Sequence, residues 1–423
     1  MKNEILLITD QFPSDPSGRS EKMFRHARYT YLNDMNMHVV CPKTLNAPNS
    51  DGLFSGSIKC WRVTPWLWNH LNSLFWHENF RPVNKLGELY ARSFFPGGYL
   101  RWFFPAFFFC YRLIKSRGIQ VVVTVSNPIT MHLIGMALKA CMPNIKLVAE
   151  LRDPIVGYYR SRHNEHLMKI MEICVSRFAA KVIEWADFCP DPITHRISGL
   201  EKKYVRIQNV GYDDKDYEGY QETISYGDEL RLVYTGGYYG EKKLWCMMLE
   251  AISSIVEKGE KIRVDYYGVW SKDQETVREK IKDQGSSWLH LHGTVPKRVC
   301  VNACQESHAQ IFLLKTDDDN KGRISSKIYD YFASQRPIIG LVPKNSMVEK
   351  KINQNPGNYL LGLDDHWENE YNSYKEQLMT IITQLIEDQQ SRKLTFLSKD
   401  MLKQYSCGFS EREWVDTVKG LIS

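Results

Sequence analysis

Several things are scarce or missing in this sequence, and each absence closes off a class of function. The longest apolar run, Phe103–Tyr111, falls far short of the ~20 residues a spanning helix needs, so no segment reads as a membrane crossing. The cysteines at 41, 60, 110, 141, 174, 189, 246, 300, 304 and 407 form no CxxC pair, and no Cys/His cluster has metal-ligand spacing. They read as reduced, mostly buried thiols of a cytoplasmic protein. No low-complexity tract interrupts the chain, so disorder accounts for no long stretch. The opening MKNEILLITD has one early Lys, and its apolar run Ile5–Ile8 ends in Thr9 and Asp10 rather than a small-residue cleavage site; it reads as a first strand and not a signal peptide. Strong charge of one sign is also absent. A formal net charge of +6 accompanied by 49 acidic residues does not suggest a nucleic-acid binder, and a basic patch facing phosphate or anionic lipid is the simpler reading.

What remains is the composition of a globular protein, 43% hydrophobic and 25% charged, and 423 residues exceed one ordinary core. Short apolar runs alternate with longer helical patterns, the signature of parallel sheets wrapped by crossover helices. In the first half the expected strands are Ile5–Thr9, His38–Cys41, Val121–Val125, Lys146–Glu150, Val182–Glu184 and Tyr204–Gln208. In the second they are Arg231–Tyr234, Ile262–Tyr267, Leu289–His292, Gln310–Leu314 and Ile338–Val342. The turn-rich segment Asn209–Thr223 separates the two series and is the expected linker. The fold class predicted is therefore α/β, two doubly wound Rossmann-like domains, 1–210 and 224–405. The region Trp61–Phe109 breaks the rhythm by crowding aromatic residues among basic ones. It is too short to span a bilayer but suited to lie on one, and packing inside the domain is the alternative reading.

Two blocks carry chemistry. The first is GRISSKIYDYFASQRPIIGLV at 322–342, where a helix starting near Ser325 or Ser326 with a hydroxyl cap offers backbone N–H groups to an anion such as a diphosphate. Lys327, Asp330 and Ser334 fall on one polar face of that helix, with Ile328 and Phe332 on its buried side. Asp330 is then placed to accept hydrogen bonds from ribose hydroxyls. A capped amphipathic helix leading into a buried strand is the plain alternative. The second block is LVYTGGYYGEKK at 232–243: a strand, the Gly236–Gly237 turn, and the Lys242–Lys243 pair where a helix should begin. Glycines allow close approach of a ligand, and either Lys can neutralise phosphate charge. Because Thr235 stands where a dinucleotide fingerprint has its first glycine, a tight βα turn with solvated lysines is an even alternative.

In chain order, YTGGYYGEKK, DYYG (265–268), HGTVP (292–296) and SKIYDYFASQRPIIGLV (326–342) resemble the donor domain of family-4-type GT-B glycosyltransferases. ITDQFPSDPSGRSEKMFRHA, SNPITMHLIG (126–135), ELRDP (150–154) and IQNVGYDDKDY (207–217) resemble the acceptor domain and hinge of the bacterial polysaccharide and lipopolysaccharide members. The resemblance implies retaining transfer from a UDP- or GDP-sugar, in a cleft between domains, to a glycan or lipid-linked acceptor. No metal or cofactor and no nucleic-acid partner is implied, and the setting would be the cytoplasm or the inner face of the membrane. It also implies that the last helix, Glu411–Ile422 within segment 406–423, packs back on the N-terminal domain.

Residue by residue, the likeness puts Asp330 in the place of the second acid of the E-x7-E pair, whose first position is here Gly322; Asp317, Asp318 or Asp319 are the substitutes in reach. The implied donor set is Gly18, Arg19, Gly236, Gly237, Arg323, Ser325, Ser326, Lys327 and Asp330. Asn127, Arg152 and Asp153 stand on the acceptor side, and Lys242, Lys243 and His132 are the catalytic candidates. A surface turn at Arg19, a structural role for His132 and a local ion pair at Arg152–Asp153 are the competing readings. A nucleotide-sugar epimerase on the same scaffold, and a non-catalytic nucleotide-sugar-binding subunit, are the alternative functions.

Overall fold

A computed structural model of the chain describes residues 3–13, 18–43, 53–54, 58–65, 100–126, 128–156, 162–218, 224, 226–237, 242–270, 275, 287–317 and 321–422. The chain divides into two compact units, Met1–Gln208 with Phe409–Ser423, and Asn209–Gly408.

The first unit is built on strands β1 (Asn3–Ile8), β2 (Met35–Pro42), β3 (Leu53–Phe54), β4 (Ile58–Val63), β5 (Val121–Val125), β6 (Lys146–Leu151), β7 (Lys181–Trp185) and β8 (Tyr204–Ile207). They form one sheet in the order β3-β4-β2-β1-β5-β6-β7-β8, parallel throughout except for the two-residue β3. Its helices are α1 (Gly18–Leu32), α2 (Leu100–Arg117), α3 (Thr130–Cys141) and α4 (Arg162–Phe178). The central strands are fully buried, as β-branched runs covered on both faces must be; all of Val121–Val125 is buried. Gly135 lets α3 lie close on the sheet, since a Cβ there would stand 2.6 Å from the Thr124 methyl and 2.8 Å from Leu147. The Trp61–Phe109 stretch is in part strand and helix: β4 enters it, and α2 leaves it with Trp102 and Ala106 in the core but Phe104 and Phe108 each 51% exposed. Residues 66–99 of that stretch lie outside the described residues.

The second unit contains β9 (Glu229–Thr235), β10 (Lys261–Tyr267), β11 (Leu289–Gly293), β12 (Ala309–Leu313), β13 (Ile338–Pro343) and β14 (Tyr359–Leu363), all parallel in the order β11-β10-β9-β12-β13-β14. Its helices are α5 (Lys242–Val256), α6 (Lys297–Glu306), α7 (Lys327–Ala333), α8 (Met347–Asn353), α9 (Tyr371–Gln390) and α10 (Lys399–Lys403); α11 (Cys407–Lys419) begins here and ends in the first unit. One face of the sheet is closed by α5 and α9 around an aromatic core, with Tyr234 and Tyr266 stacked at 4.9 Å and Trp245 edge-on to both.

Both sheets are doubly wound, and each reverses strand order once: between β1 and β5 in the first, between β9 and β12 in the second. Ligands of open α/β sheets bind outside the carboxyl ends of the strands at such reversals. The fold therefore nominates two places to look.

Candidate functional site

At the second reversal, β9 and β10 are each followed directly by a glycine, Gly236 and Gly268, and β11 ends on Gly293. Gly236 (φ +102°) donates to the Tyr267 carbonyl at 2.8 Å, and Gly268 (φ +151°) to that of Gly293 at 2.9 Å. A Cβ on Gly268 would stand 2.1 Å from the Gly236 carbonyl oxygen, so the backbones meet where no side chain fits. The Tyr234 hydroxyl pins the turn by donating to the Gly237 carbonyl at 2.6 Å.

Lys327 reaches this turn from α7. Its Nζ lies 3.9 Å from the centre of the Tyr234 ring, and a Cβ on Gly236 would come within 3.4 Å of it. Burial lowers its pKa to about 7, against the opposing pull of Cys304 and Asp330. The Lys327 ammonium is thus easily gained and lost near neutrality.

The start of α7 differs from expectation. The helix runs only from Lys327 to Ala333, and Ser326 at its N-cap position makes no side-chain cap hydrogen bond. The reason is local: Ser326 is already helical (φ −60°, ψ −22°), whereas a capping hydroxyl works from an extended backbone. The entry is instead a tight turn in which Ile328 and Tyr329 N–H bond the Ser325 and Ser326 carbonyls at 3.1 Å, so those two donors are committed. Ser334 is buried and donates to the Tyr331 carbonyl at 2.8 Å, so it belongs to the core and not to a polar face with Lys327 and Asp330.

Asp330 is half-exposed on α7, its side chain 38% accessible. Its Oδ1 lies 3.3 Å from the Tyr217 hydroxyl and 3.8 Å from Lys297 Nζ, the first residue of α6. Neither partner was singled out from the sequence. The other candidates of this unit are less engaged. Lys242 and Lys243 open α5 on its exposed surface, and Lys243 pairs with Glu368. Arg323 is half-buried, and Asp317 lies 3.5 Å from Lys315; Asp318 and Asp319 are outside the described residues.

At the first reversal and along its rim, charge is buried. Glu150, the penultimate residue of β6, is completely buried and accepts from Arg152 Nε (3.0 Å), Trp185 Nε1 (2.9 Å), Trp414 Nε1 (3.0 Å) and His26 Nε2 (3.2 Å). The His26 ring donates its other proton to Glu411 at 2.6 Å and stacks on Trp414 at 4.4 Å. Burial alone would lower the His26 pKa, but Glu411 and Glu150 together raise it, so the two carboxylates favour the protonated ring between them. Despite burial, His26 and Arg152 hold Glu150 far below the usual carboxylate range. Arg152 is therefore a member of a closed network, and Ser126 accepts its backbone N–H at 3.0 Å and donates to the Asp153 carbonyl at 3.2 Å. His132 is also buried, its Nδ1 2.8 Å from the Thr124 hydroxyl, and burial lowers its pKa to about 4, which makes it neutral. Gly18 and Arg19 open α1, while Asn127 lies outside the described residues. Among the described residues no His/Cys/Asp/Glu group is arranged to hold a metal, and no helix is long and apolar enough to cross a membrane.

No protein-family model and no curated protein matches the sequence. Solved structures do match along nearly the whole chain. The lipopolysaccharide outer core galactosyltransferase WaaB in its apo form is 12% identical, with 99% of both chains covered and a TM-score of 0.58. Anabaena HepE in complex with UDP-glucose matches at 12% identity, 99% of both chains and a TM-score of 0.57. The UDP-GlcNAc 2-epimerase of Methanocaldococcus jannaschii matches at 12%, 99% of both chains and 0.57. The two-domain α/β architecture is thus shared with glycosyltransferases and with nucleotide-sugar epimerases of the GT-B kind.

Proposed function

We propose that the chain is a retaining glycosyltransferase that moves a sugar from a UDP- or GDP-sugar to a glycan or lipid-linked acceptor in cell-surface polysaccharide assembly, at the cytoplasmic face of the membrane and without a metal. One observation carries this reading. At the β9–β12 reversal, a close-packed glycine turn at the strand ends lies beside an ammonium (Lys327) that shares a helix with a half-exposed carboxylate (Asp330). An ammonium suits a diphosphate, and a carboxylate suits ribose hydroxyls. The order of the eight sequence motifs and the likeness in fold to HepE, solved with UDP-glucose, support the same reading.

In this mechanism the protein's contribution is electrostatic. As the sugar–phosphate bond lengthens, negative charge grows on the diphosphate; Lys327, aided by Lys242 or Lys243, stabilises it from a position fixed before reaction. The α2 surface suits an acceptor carried on lipid: Phe104 and Phe108 are exposed, Lys115 and Arg117 close the last turn, and the helix has no acidic residue. Failure to bind anionic vesicles at low salt would remove the membrane part.

The fold likeness to an epimerase favours one second reading, interconversion of the sugar while it stays on its nucleotide. Incubation with a panel of UDP- and GDP-sugars decides between them. Transfer requires an added acceptor, whereas epimerisation proceeds without one; tight nucleotide binding with neither activity points to a non-catalytic subunit.

A further inference from the structure

Two cations stand at the wrong end of a helix. Lys297 and Arg298 open α6, where the macrodipole disfavours positive charge. Both cations here meet a single short turn. Lys297 Nζ is 2.6 Å from Asp216 Oδ2, and Arg298 donates to the Asp216 carbonyl at 2.7 Å and the Glu218 carbonyl at 3.4 Å. The turn is self-bonded, Asp213 accepting from the Lys215 N–H at 3.2 Å, and the Tyr217 ring packs edge-on against Tyr212 at 5.5 Å. The result is to deliver the Tyr217 hydroxyl to α7, where it lies 3.0 Å from the Asp330 carbonyl oxygen and 3.3 Å from Oδ1. Burial and the neighbouring carboxylates Asp330 and Asp216 push the Tyr217 pKa well up, so it remains a proton donor.

We propose that Tyr217 and Lys297 are positioning residues for Asp330: they hold Oδ1 between a hydroxyl and an ammonium and so direct Oδ2 at the ribose hydroxyls of a bound nucleotide. The proposal rests on the donor-site reading above. A carboxylate free to rotate spends binding energy on being ordered, and one held in place does not. Neither residue touches the nucleotide in this account. Lys297 and Tyr217 together hold the Oδ1 side of the Asp330 carboxylate, while Arg298 only secures the turn.

The test uses the full chain, calorimetry with UDP and GDP, and the 2′-deoxy analogue of whichever binds. Tyr217→Phe keeps the ring packing and removes the hydroxyl; Lys297→Met keeps the stem and removes the charge. Each is expected to weaken the ribonucleotide by about three- to tenfold, the range of one hydrogen bond, and the deoxy analogue less. In an Asp330→Asn background both effects should shrink, because the residues act through one carboxylate. A purely structural turn would lower the melting temperature and weaken both nucleotides alike, which overturns the proposal. If Asp330→Ala weakens binding while Tyr217→Phe and Lys297→Met leave both the affinity and the ribose-to-deoxyribose ratio unchanged, positioning fails and the donor site stands. If Asp330→Ala binds like the unaltered chain, the donor-site reading fails and this inference falls with it.

Discussion

Glu150 in the first unit and Asp330 in the second are both carboxylates near the carboxyl ends of parallel strands, yet their surroundings are opposite. Glu150 is wholly buried, and four donors from α1, β7, α11 and the residues just beyond β6 saturate it. Asp330 is 38% exposed and held on one oxygen only. A carboxylate whose lone pairs are spoken for has nothing to offer a ligand; its removal leaves cations and indole N–H groups stranded. One that is held but unsaturated costs little to keep and is ready to accept. The two units thus place the same chemical group in opposite settings, saturated in one and unsaturated in the other.

The contrast is broken most severely at Glu150. Glu150→Ala strands His26, Arg152, Trp185 and Trp414 and should cost about 3–5 kcal/mol, the penalty for halving a buried ion pair. Thermal scans should show the first unit melting on the order of 10 °C lower, with nucleotide affinity at low temperature little changed. Next is Asp330→Ala, which should weaken UDP or GDP by roughly ten- to a hundredfold through loss of about 1.5–3 kcal/mol of charged hydrogen bonding, yet leave the melting curve in place. Asp330→Asn should keep part of that affinity.

A subtler difference lies in pH. The folded-state pKa of His26 is raised above its unfolded value, so its contribution to stability is complete below pH ~6.5 and is lost as pH climbs through the raised value. His26→Gln should therefore lose most against the unaltered chain in acid, and the gap in melting temperature should narrow on going alkaline. A gap that widens instead would mean that the ring is neutral in the folded chain. Lys327 has the opposite sign. Its pKa is depressed to about 7, the unfolded chain binds more protons between there and the ordinary lysine range, and stability should rise with pH across that window. A diphosphate would draw the proton back. UDP binding near pH 8 should thus take up a fraction of a proton, read from the dependence of the binding enthalpy on buffer ionisation heat, and Lys327→Met should abolish that uptake.

Much of the architecture was legible because buried parallel strands are written as short apolar runs. All eleven expected strands are present, and Val121–Val125 matches to the residue. The missed strands are at or near the sheet edges. In β4, Lys59 and Arg62 break the apolar run, and β14 is a half-exposed edge strand containing Gly362. The site was legible in part. Gly236, Lys327 and Asp330 come together, but counting along an ideal helix put Ser334 on the polar face, although the protein surrounds a seven-residue helix on nearly all sides. The partners of Asp330 escaped because Tyr217 is 113 residues away and Lys297 reads as an ordinary surface lysine. The cluster joining residues 26, 150 and 411 likewise has no local signature; only the fold brings them within bonding distance.

The most direct test of which strand reversal receives the nucleotide is amide hydrogen exchange with and without UDP or GDP. Binding should slow exchange at Gly236, Gly237 and Gly268, at residues 293–298 and through 325–331, and leave residues 150–153 and the buried start of α3 unchanged. Protection confined to the first unit, at 126–135 and 150–153, would contradict the account and move the donor to the other sheet.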